Sequence, residues 1–132
     1  MRALLLVAHG SRDDASNRIV VDLAADLAER LRDRYACVKP VFLEFAEPGP
    51  TRGIADCVAA DVDHVVVLPY FLAPGRHVTR DVPALLRAAR EAHPEVEFTL
   101  LPYAGSAPKL VDAIASLAIL DPAPGPGLVA VG

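Results

Sequence analysis

The chain has 132 residues, 53% of them hydrophobic, which is enough for a buried core but short for a self-contained two-lobed enzyme. Its formal charge of −4 gives no overall attraction for nucleic acid or an anionic membrane, and no apolar run reaches the ~18 residues that span a bilayer. The cysteines, Cys37 and Cys57, have no CxxC spacing. We therefore expect free thiols and a cytoplasmic protein without nucleic-acid or membrane partners.

The first part of the chain predicts a strand followed by a helix. Ala3 to Ala8 is continuously apolar, as expected of a strand that is covered on both faces, and His9-Gly10-Ser11 ends it. Apolar residues then recur at spacings of three and four, beginning with Ile19, which predicts an amphipathic helix from about Asp14 to Arg34.

The middle of the chain repeats this order. Val38 to Phe45 predicts a second strand, and Thr51 is a suitable cap for a short helix that reaches Ala60. His64 to Leu68 predicts a third strand. The segment that follows contains two prolines and a glycine, so it predicts a stiff loop, which ends by presenting Arg76 and His77.

The last part completes the alternation. A helix is predicted to begin at about Asp81, which is a plausible cap, and to stop before Pro94. Val96 to Leu101 predicts a fourth strand, and Ser106 and Pro108 open a final helix with its apolar face formed by Leu110, Val111, Ile114 and Leu117. We expect one domain over residues 1–120 and a loose Pro/Gly-rich tail over 121–132, in which 128–131 could pair as an edge strand.

Strands that alternate with helices predict an α/β fold, a three-layer sandwich of a four-stranded parallel sheet with helices on both faces. In such sheets ligands bind outside the carboxyl ends of the strands. His9, Glu44 and His77 all lie at or just past those ends, so we expect them at one edge. Glu44 interrupts an apolar strand, where a buried carboxylate is costly unless it is paired or functional.

Two imidazoles and a carboxylate at one edge suit either a divalent transition metal or proton transfer. The residues alone leave both possibilities open, because no local metal motif such as HExxH is present.

Three segments carry a resemblance to a known family. Leu5-Leu6-Val7-Ala8-His9-Gly10-Ser11-Arg12, Phe42-Leu43-Glu44-Phe45-Ala46-Glu47-Pro48 and Leu68-Pro69-Tyr70-Phe71-Leu72-Ala73-Pro74-Gly75-Arg76-His77-Val78 resemble, in order, the signature segments of the sirohydrochlorin chelatases of the CbiX/SirB type. The similarity extends over about residues 1–117.

The resemblance implies a lyase that inserts Co²⁺, Fe²⁺ or Ni²⁺ into sirohydrochlorin for cobalamin, sirohaem or a related cofactor, with the metal as substrate and no tightly bound cofactor. It implies catalytic roles for His9, His77 and Glu44, with the two histidines as metal ligands. The exposed arginines at the same edge would hold the substrate's carboxylates; they are Arg12, Arg52, Arg76 and Arg80. The short members of the family pair two chains, so a homodimer is expected.

Three other interpretations of the sequence remain. A non-catalytic metal carrier would use the same histidines, and the chain could be one half of a two-domain chelatase. A histidine phosphatase also has His-Gly after its first strand, but it normally has an arginine directly before the histidine, where this chain has Ala8.

Overall fold

A computed structural model describes residues 1–121, and the expected edge strand at 128–131, like the rest of the tail from 122, lies outside the described residues. The strands are β1 Arg2–Ala8, β2 Cys37–Phe42, β3 His64–Pro69 and β4 Glu97–Leu100. The α-helices are α1 Asp14–Arg30, α2 Pro50–Ala59, α3 Val82–Ala92 and α4 Leu110–Ala118. A π-helical turn spans His77–Asp81 and a 3-10 turn spans Ala104–Ser106.

The sheet has the order β2-β1-β3-β4, and each neighbouring pair is parallel. In β1, Leu5 pairs with Lys39 on one side and with Val67 on the other, so β1 is a central strand. Its residues from Ala3 to Ala8 are all buried, as the continuous apolar run predicts.

Side chains on the two faces of the sheet form separate cores. Leu5 and Val7 belong to the core that includes Ile54 of α2 and Leu86 of α3. Leu6 and Ala8, together with Phe42 of β2, pack with Val20 and Ala24 of α1. Helices therefore cover both faces, and the predicted three-layer α/β sandwich is confirmed.

Helix α1 is shorter than predicted, and one residue of its predicted apolar face is exposed. Asp13 caps it by accepting a hydrogen bond from the backbone N–H of Ala15 at 3.0 Å, and the helix ends at Arg30 rather than at Arg34. Ile19, expected on the buried face, is 64% exposed, whereas Val20 is buried. Val20 lies on the predicted apolar face, and Leu23 and Leu27 of that face pack against the same core. The predicted face of α1 is therefore confirmed except at Ile19.

Strand β2 ends at Phe42, so the prediction that it continues to Phe45 is wrong. Beyond Phe42 the chain bonds to the end of β1 and to the loop after it, because the backbone N–H of Leu43 donates to the Ala8 carbonyl and that of Glu44 to the His9 carbonyl, each at 2.9 Å. Phe45 then has a φ of 67°, which is incompatible with a strand. The N-cap of α2 is Gly49 rather than Thr51.

Helix α4 has no buried residue, although its sequence has a distinct apolar face. Val111 is 74%, Ile114 55% and Leu117 67% exposed. No helix within residues 1–121 is long and apolar enough to cross a membrane.

Candidate functional site

The carboxyl ends of three adjacent strands bring the candidate residues together. His9 directly follows β1, Glu44 lies just past the end of β2, and His77 is carried by the segment between β3 and α3. Because β1 lies between β2 and β3, His9 is positioned between the other two.

The backbone after β1 makes room for this arrangement at Gly10. Gly10 has a φ of 92°, and an added Cβ would lie 1.8 Å from the backbone oxygen of Glu44. The backbone N–H of Glu44 donates to the His9 carbonyl at 2.9 Å. A side chain at position 10 would therefore push apart the two loops that carry His9 and Glu44.

The ring of His9 has a defined hydrogen-bonding pattern. Its Nδ1 lies 2.9 Å from the carbonyl oxygen of Gly10. A carbonyl only accepts hydrogen bonds, so Nδ1 carries the proton, and in the neutral ring Nε2 has a free lone pair. Nε2 lies 3.4 Å from Oε2 of Glu44. An imidazole nitrogen and a carboxylate oxygen at this distance are both atoms that bind divalent transition metals.

The carboxylate of Glu44 is exposed. The side chains of His9 and Glu44 are 43% and 53% accessible to solvent. The prediction of a carboxylate buried within β2 is therefore wrong, because the strand ends two residues before Glu44. Its position at the carboxyl edge beside His9 agrees with the predicted grouping.

His77 packs against His9. The centroids of the two imidazole rings are 4.6 Å apart in a T-shaped arrangement. Phe71 stacks on the His77 ring, with a centroid distance of 5.8 Å and an interplanar angle of 16°. The two predicted imidazoles therefore meet at one edge, and His9 contacts both of its expected partners.

The sequence predicts that a loop ends at His77 and that Asp81 caps the next helix. In the structure, His77–Asp81 instead form a π-helical turn that leads directly into α3. Asp81 makes no capping hydrogen bond to α3. Its Oδ2 instead lies 2.7 Å from Nδ1 of His77. The i, i+4 spacing of His77 and Asp81 was a visible signal of this contact that the capping interpretation missed.

The four arginines occupy different environments. The guanidinium of Arg12 lies 4.9 Å from the ring centroid of Phe45. Arg52 pairs with Asp56 of the same helix at 3.1 Å, so its charge is partly offset. Arg76, which directly precedes the π-helical turn, and Arg80, which lies within it, are exposed.

Aromatic side chains adjoin the histidines. The ring of Phe45 lies 6.3 Å from that of His9, and 54% of Phe45 is exposed. A depression of about 210 Å³ next to His9 is lined in part by Tyr70 and Phe71. Sequence reasoning did not single out Phe45, since no local pattern reports its left-handed backbone.

Within residues 1–121, no group of three or more His, Cys, Asp and Glu side chains is arranged to hold a metal ion. A metal ion between His9 and His77 would therefore take further ligands from water or from a second molecule.

The fold and this edge define a parallel α/β domain with paired histidines at the topological switch of its sheet. The CbiX family model matches residues 3–119, and the chain belongs to the CbiX family. The resemblance seen in the three sequence segments is thereby confirmed.

Named relatives agree with this family. A sirohydrochlorin cobaltochelatase of Methanocaldococcus jannaschii is 37% identical over 93 residues, which are 70% of this chain and 64% of that protein. The chloroplastic sirohydrochlorin ferrochelatase of Arabidopsis thaliana is 31% identical over 111 residues, 84% of this chain and 48% of that protein. The chain thus spans less than two thirds of the length of these relatives.

A solved structure agrees with the fold. The crystal structure of a cobalamin biosynthesis CbiX protein from Marinobacter aquaeolei superimposes with a TM-score of 0.73 at 29% identity. The match covers 89% of this chain and 94% of that one.

Proposed function

We propose that this protein inserts a divalent metal ion into sirohydrochlorin. The observation that carries the proposal is the pair of imidazoles at the carboxyl edge, His9 and His77, whose ring centroids are 4.6 Å apart. In each ring Nδ1 is engaged in a hydrogen bond, to Gly10 O or to Asp81 Oδ2, so each Nε2 is available as a ligand.

The chemistry requires a weakly held metal and a path for protons. In the reaction a divalent ion enters the macrocycle and two pyrrole N–H protons leave, so the charge is conserved. His9 and His77 hold the partly dehydrated ion through their Nε2 atoms, with water completing its shell. Few protein ligands favour release of the ion to the macrocycle nitrogens.

Glu44 and the arginines have supporting roles in this proposal. The carboxylate of Glu44, 3.4 Å from Nε2 of His9, offsets the charge of the ion and takes up a departing proton. Arg12, Arg76 and Arg80 bind the carboxylates of the substrate. Arg52 contributes less to this binding, because its guanidinium already pairs with Asp56.

The metal can be Co²⁺, Fe²⁺ or Ni²⁺, since imidazole and carboxylate ligands accept all three. The relatives are named for cobalt in one case and for iron in the other. Initial insertion rates with each ion, measured without oxygen for iron, identify the ion that the protein inserts fastest. The product then serves cobalamin, sirohaem or another cofactor that contains this metal.

The activity is tested by following the absorption spectrum of sirohydrochlorin with Co²⁺, with and without the protein. We expect a rate well above the spontaneous reaction, and its loss in His9→Ala or His77→Ala. His93→Ala is the matched control, because His93 lies at the far end of α3. Circular dichroism confirms that each variant is folded.

Two results would contradict this proposal. Metal binding without acceleration would identify a non-catalytic carrier instead of a chelatase. Near-normal turnover in His77→Ala with saturating metal would remove that histidine from the mechanism.

We also propose that the protein is a cytoplasmic homodimer. A flat macrocycle needs walls on both sides, and here the histidines lie on an open edge. Helix α4 follows β4 from this same edge, and its exposed side chains Val111, Ile114 and Leu117 are apolar. An apolar helix face of this kind suits burial against a second copy of the chain. A half of a two-domain chelatase is the alternative.

A further inference from the structure

The turn that carries His77 has an unusual backbone. Residues His77–Asp81 form a single π-helical turn, closed by a hydrogen bond from the backbone N–H of Val82 to the His77 carbonyl. Such turns interrupt regular helices and often occur at functional sites. In this turn, the carboxylate of Asp81 comes within 2.7 Å of Nδ1 of His77.

Helix capping does not account for the carboxylate of Asp81. The residue immediately precedes α3, but its side chain makes no capping hydrogen bond, and its backbone is already helical with φ −72° and ψ −43°. No arginine or lysine pairs with it among the ion pairs of residues 1–121. Within that part of the chain, the side chain of Asp81 has one polar partner, which is His77.

This contact determines which nitrogen of His77 can bind a metal. An ionised carboxylate only accepts hydrogen bonds, so Nδ1 of His77 must donate. The neutral ring then has its lone pair on Nε2. Phe71 stacks on the ring with an interplanar angle of 16°, which limits its rotation. Asp81 and Phe71 together fix both the tautomer and the plane of the imidazole.

His9 reaches the same tautomer by another route. Its Nδ1 donates to the backbone oxygen of Gly10 at 2.9 Å. A backbone acceptor cannot be removed by substitution, whereas the acceptor for His77 is a side chain. The dependence of His77 on Asp81 can therefore be tested directly.

We propose that Asp81 is a positioning residue, which holds His77 in the Nδ1–H tautomer with Nε2 directed to the incoming metal ion. This inference rests on the proposed role of His77 as a metal ligand. Carboxylate partners of metal-binding histidines orient the ring and raise its basicity, and their loss weakens metal binding about tenfold to a hundredfold.

The first experiment reads the tautomer without metal or activity. Long-range ¹H–¹⁵N NMR spectra of ¹⁵N-histidine-labelled protein at pH 8 separate the two neutral forms. We expect His77 as the Nδ1–H tautomer in the wild type and as a mixture of tautomers in Asp81→Ala. Asp81→Asn keeps an acceptor oxygen in a side chain of the same size but without the charge. In this variant the fraction of His77 in the Nδ1–H tautomer should be intermediate. Glu91→Ala, on the exposed surface of α3, is the matched control.

The second experiment measures affinity. Titration with Co²⁺, followed by its visible absorption, should show weaker binding in Asp81→Ala by about tenfold to a hundredfold and no change in Glu91→Ala. Asp81→Asn should again be intermediate, and it serves as the test if Asp81→Ala does not fold.

The outcomes separate this inference from the proposed function. An unchanged His77 tautomer in Asp81→Ala overturns the inference, as does unchanged Co²⁺ affinity in Asp81→Ala when His77→Ala binds weakly. In both cases the proposed chelatase activity stands. If His77→Ala itself binds Co²⁺ as tightly as the wild type, the metal-holding role of His77 fails, and the positioning role of Asp81 fails with it.

Discussion

Phe45 combines two features that are unfavourable in a folded protein. It is a bulky residue with a left-handed backbone, at φ 67°, and 54% of it is exposed to water. Its ring lies beside that of His9 and under the guanidinium of Arg12. Strained backbone is commonly found at ligand sites, so we interpret Phe45 as an apolar surface for the macrocycle.

We expect Phe45→Ala to raise the KM for sirohydrochlorin and to leave the affinity for Co²⁺ unchanged, because the Phe45 ring has no atom that binds a metal ion, and the hydrogen bond that orients the His9 ring is made to Gly10. Phe45→Tyr retains the ring and should behave like the wild type. Steady-state kinetics and a Co²⁺ titration of both variants provide the measurement. An unchanged KM in Phe45→Ala would exclude this stacking role.

Cys57 allows a prediction about pH and stability. The side chain is 0% exposed, and burial, with a smaller effect of Cys37, raises the pKa of the Cys57 thiol to about 11. An unfolded thiol ionises near pH ~8.5, so above that pH the unfolded state releases a proton that the folded state retains. The neutral thiol therefore stabilises the fold at lower pH, and this contribution is lost as the pH rises toward 11.

Urea denaturation of the wild type and Cys57→Ala at pH 9 and pH 10 isolates this effect. The wild type should lose about 1 kcal/mol more in its free energy of unfolding than the variant over this interval. Equal losses in the two proteins would show that Cys57 does not ionise on unfolding.

At the scale of the elements, helix α3 attaches the turn that carries His77 to the sheet. Leu86 is 2% exposed and belongs to the core that α2 and α3 form with β1 and β3. Leu86→Ala removes buried methyl groups and leaves a cavity, so it should lower the free energy of unfolding by about 2–5 kcal/mol. Leu85→Ala, at a half-buried position of the same helix, should lower the free energy of unfolding by a smaller amount. Similar losses by thermal or urea unfolding would contradict the assignment of Leu86 to the core.

At the scale of the whole molecule, the exposed face of α4 predicts assembly. Light scattering should give about twice the chain mass of 14.0 kDa, and the double variant Ile114→Lys/Leu117→Lys should be monomeric, because two buried charges at an apolar interface are costly. The matched control is Asp112→Lys, which places a lysine on an already polar position of α4.

The activity of the monomeric variant then decides between the two proposed assemblies. A monomer that inserts metal at the full rate would contradict the homodimer as the active form. An inactive wild-type monomer would instead favour the interpretation that this chain is one half of a two-domain chelatase.

The sequence alone was sufficient to predict the architecture and to place His9 and His77 at the same edge of the sheet. Continuous apolar runs such as Ala3–Ala8 identify buried strands, and alternation with helices makes the sheet parallel. The carboxyl ends of all parallel strands share one edge, whatever their order. His9 and His77 could therefore be assigned to a common edge without knowledge of a single tertiary contact.

Only the tertiary structure decided the environment of the remaining residues. Glu44 is exposed, and Phe45 is left-handed, because the chain after Phe42 bonds to the loop that follows β1 instead of continuing the strand. Helix α4 is exposed although its apolar face resembles that of a packed helix. Local patterns report which side chains are apolar, but contacts between segments distant in sequence determine whether they are covered.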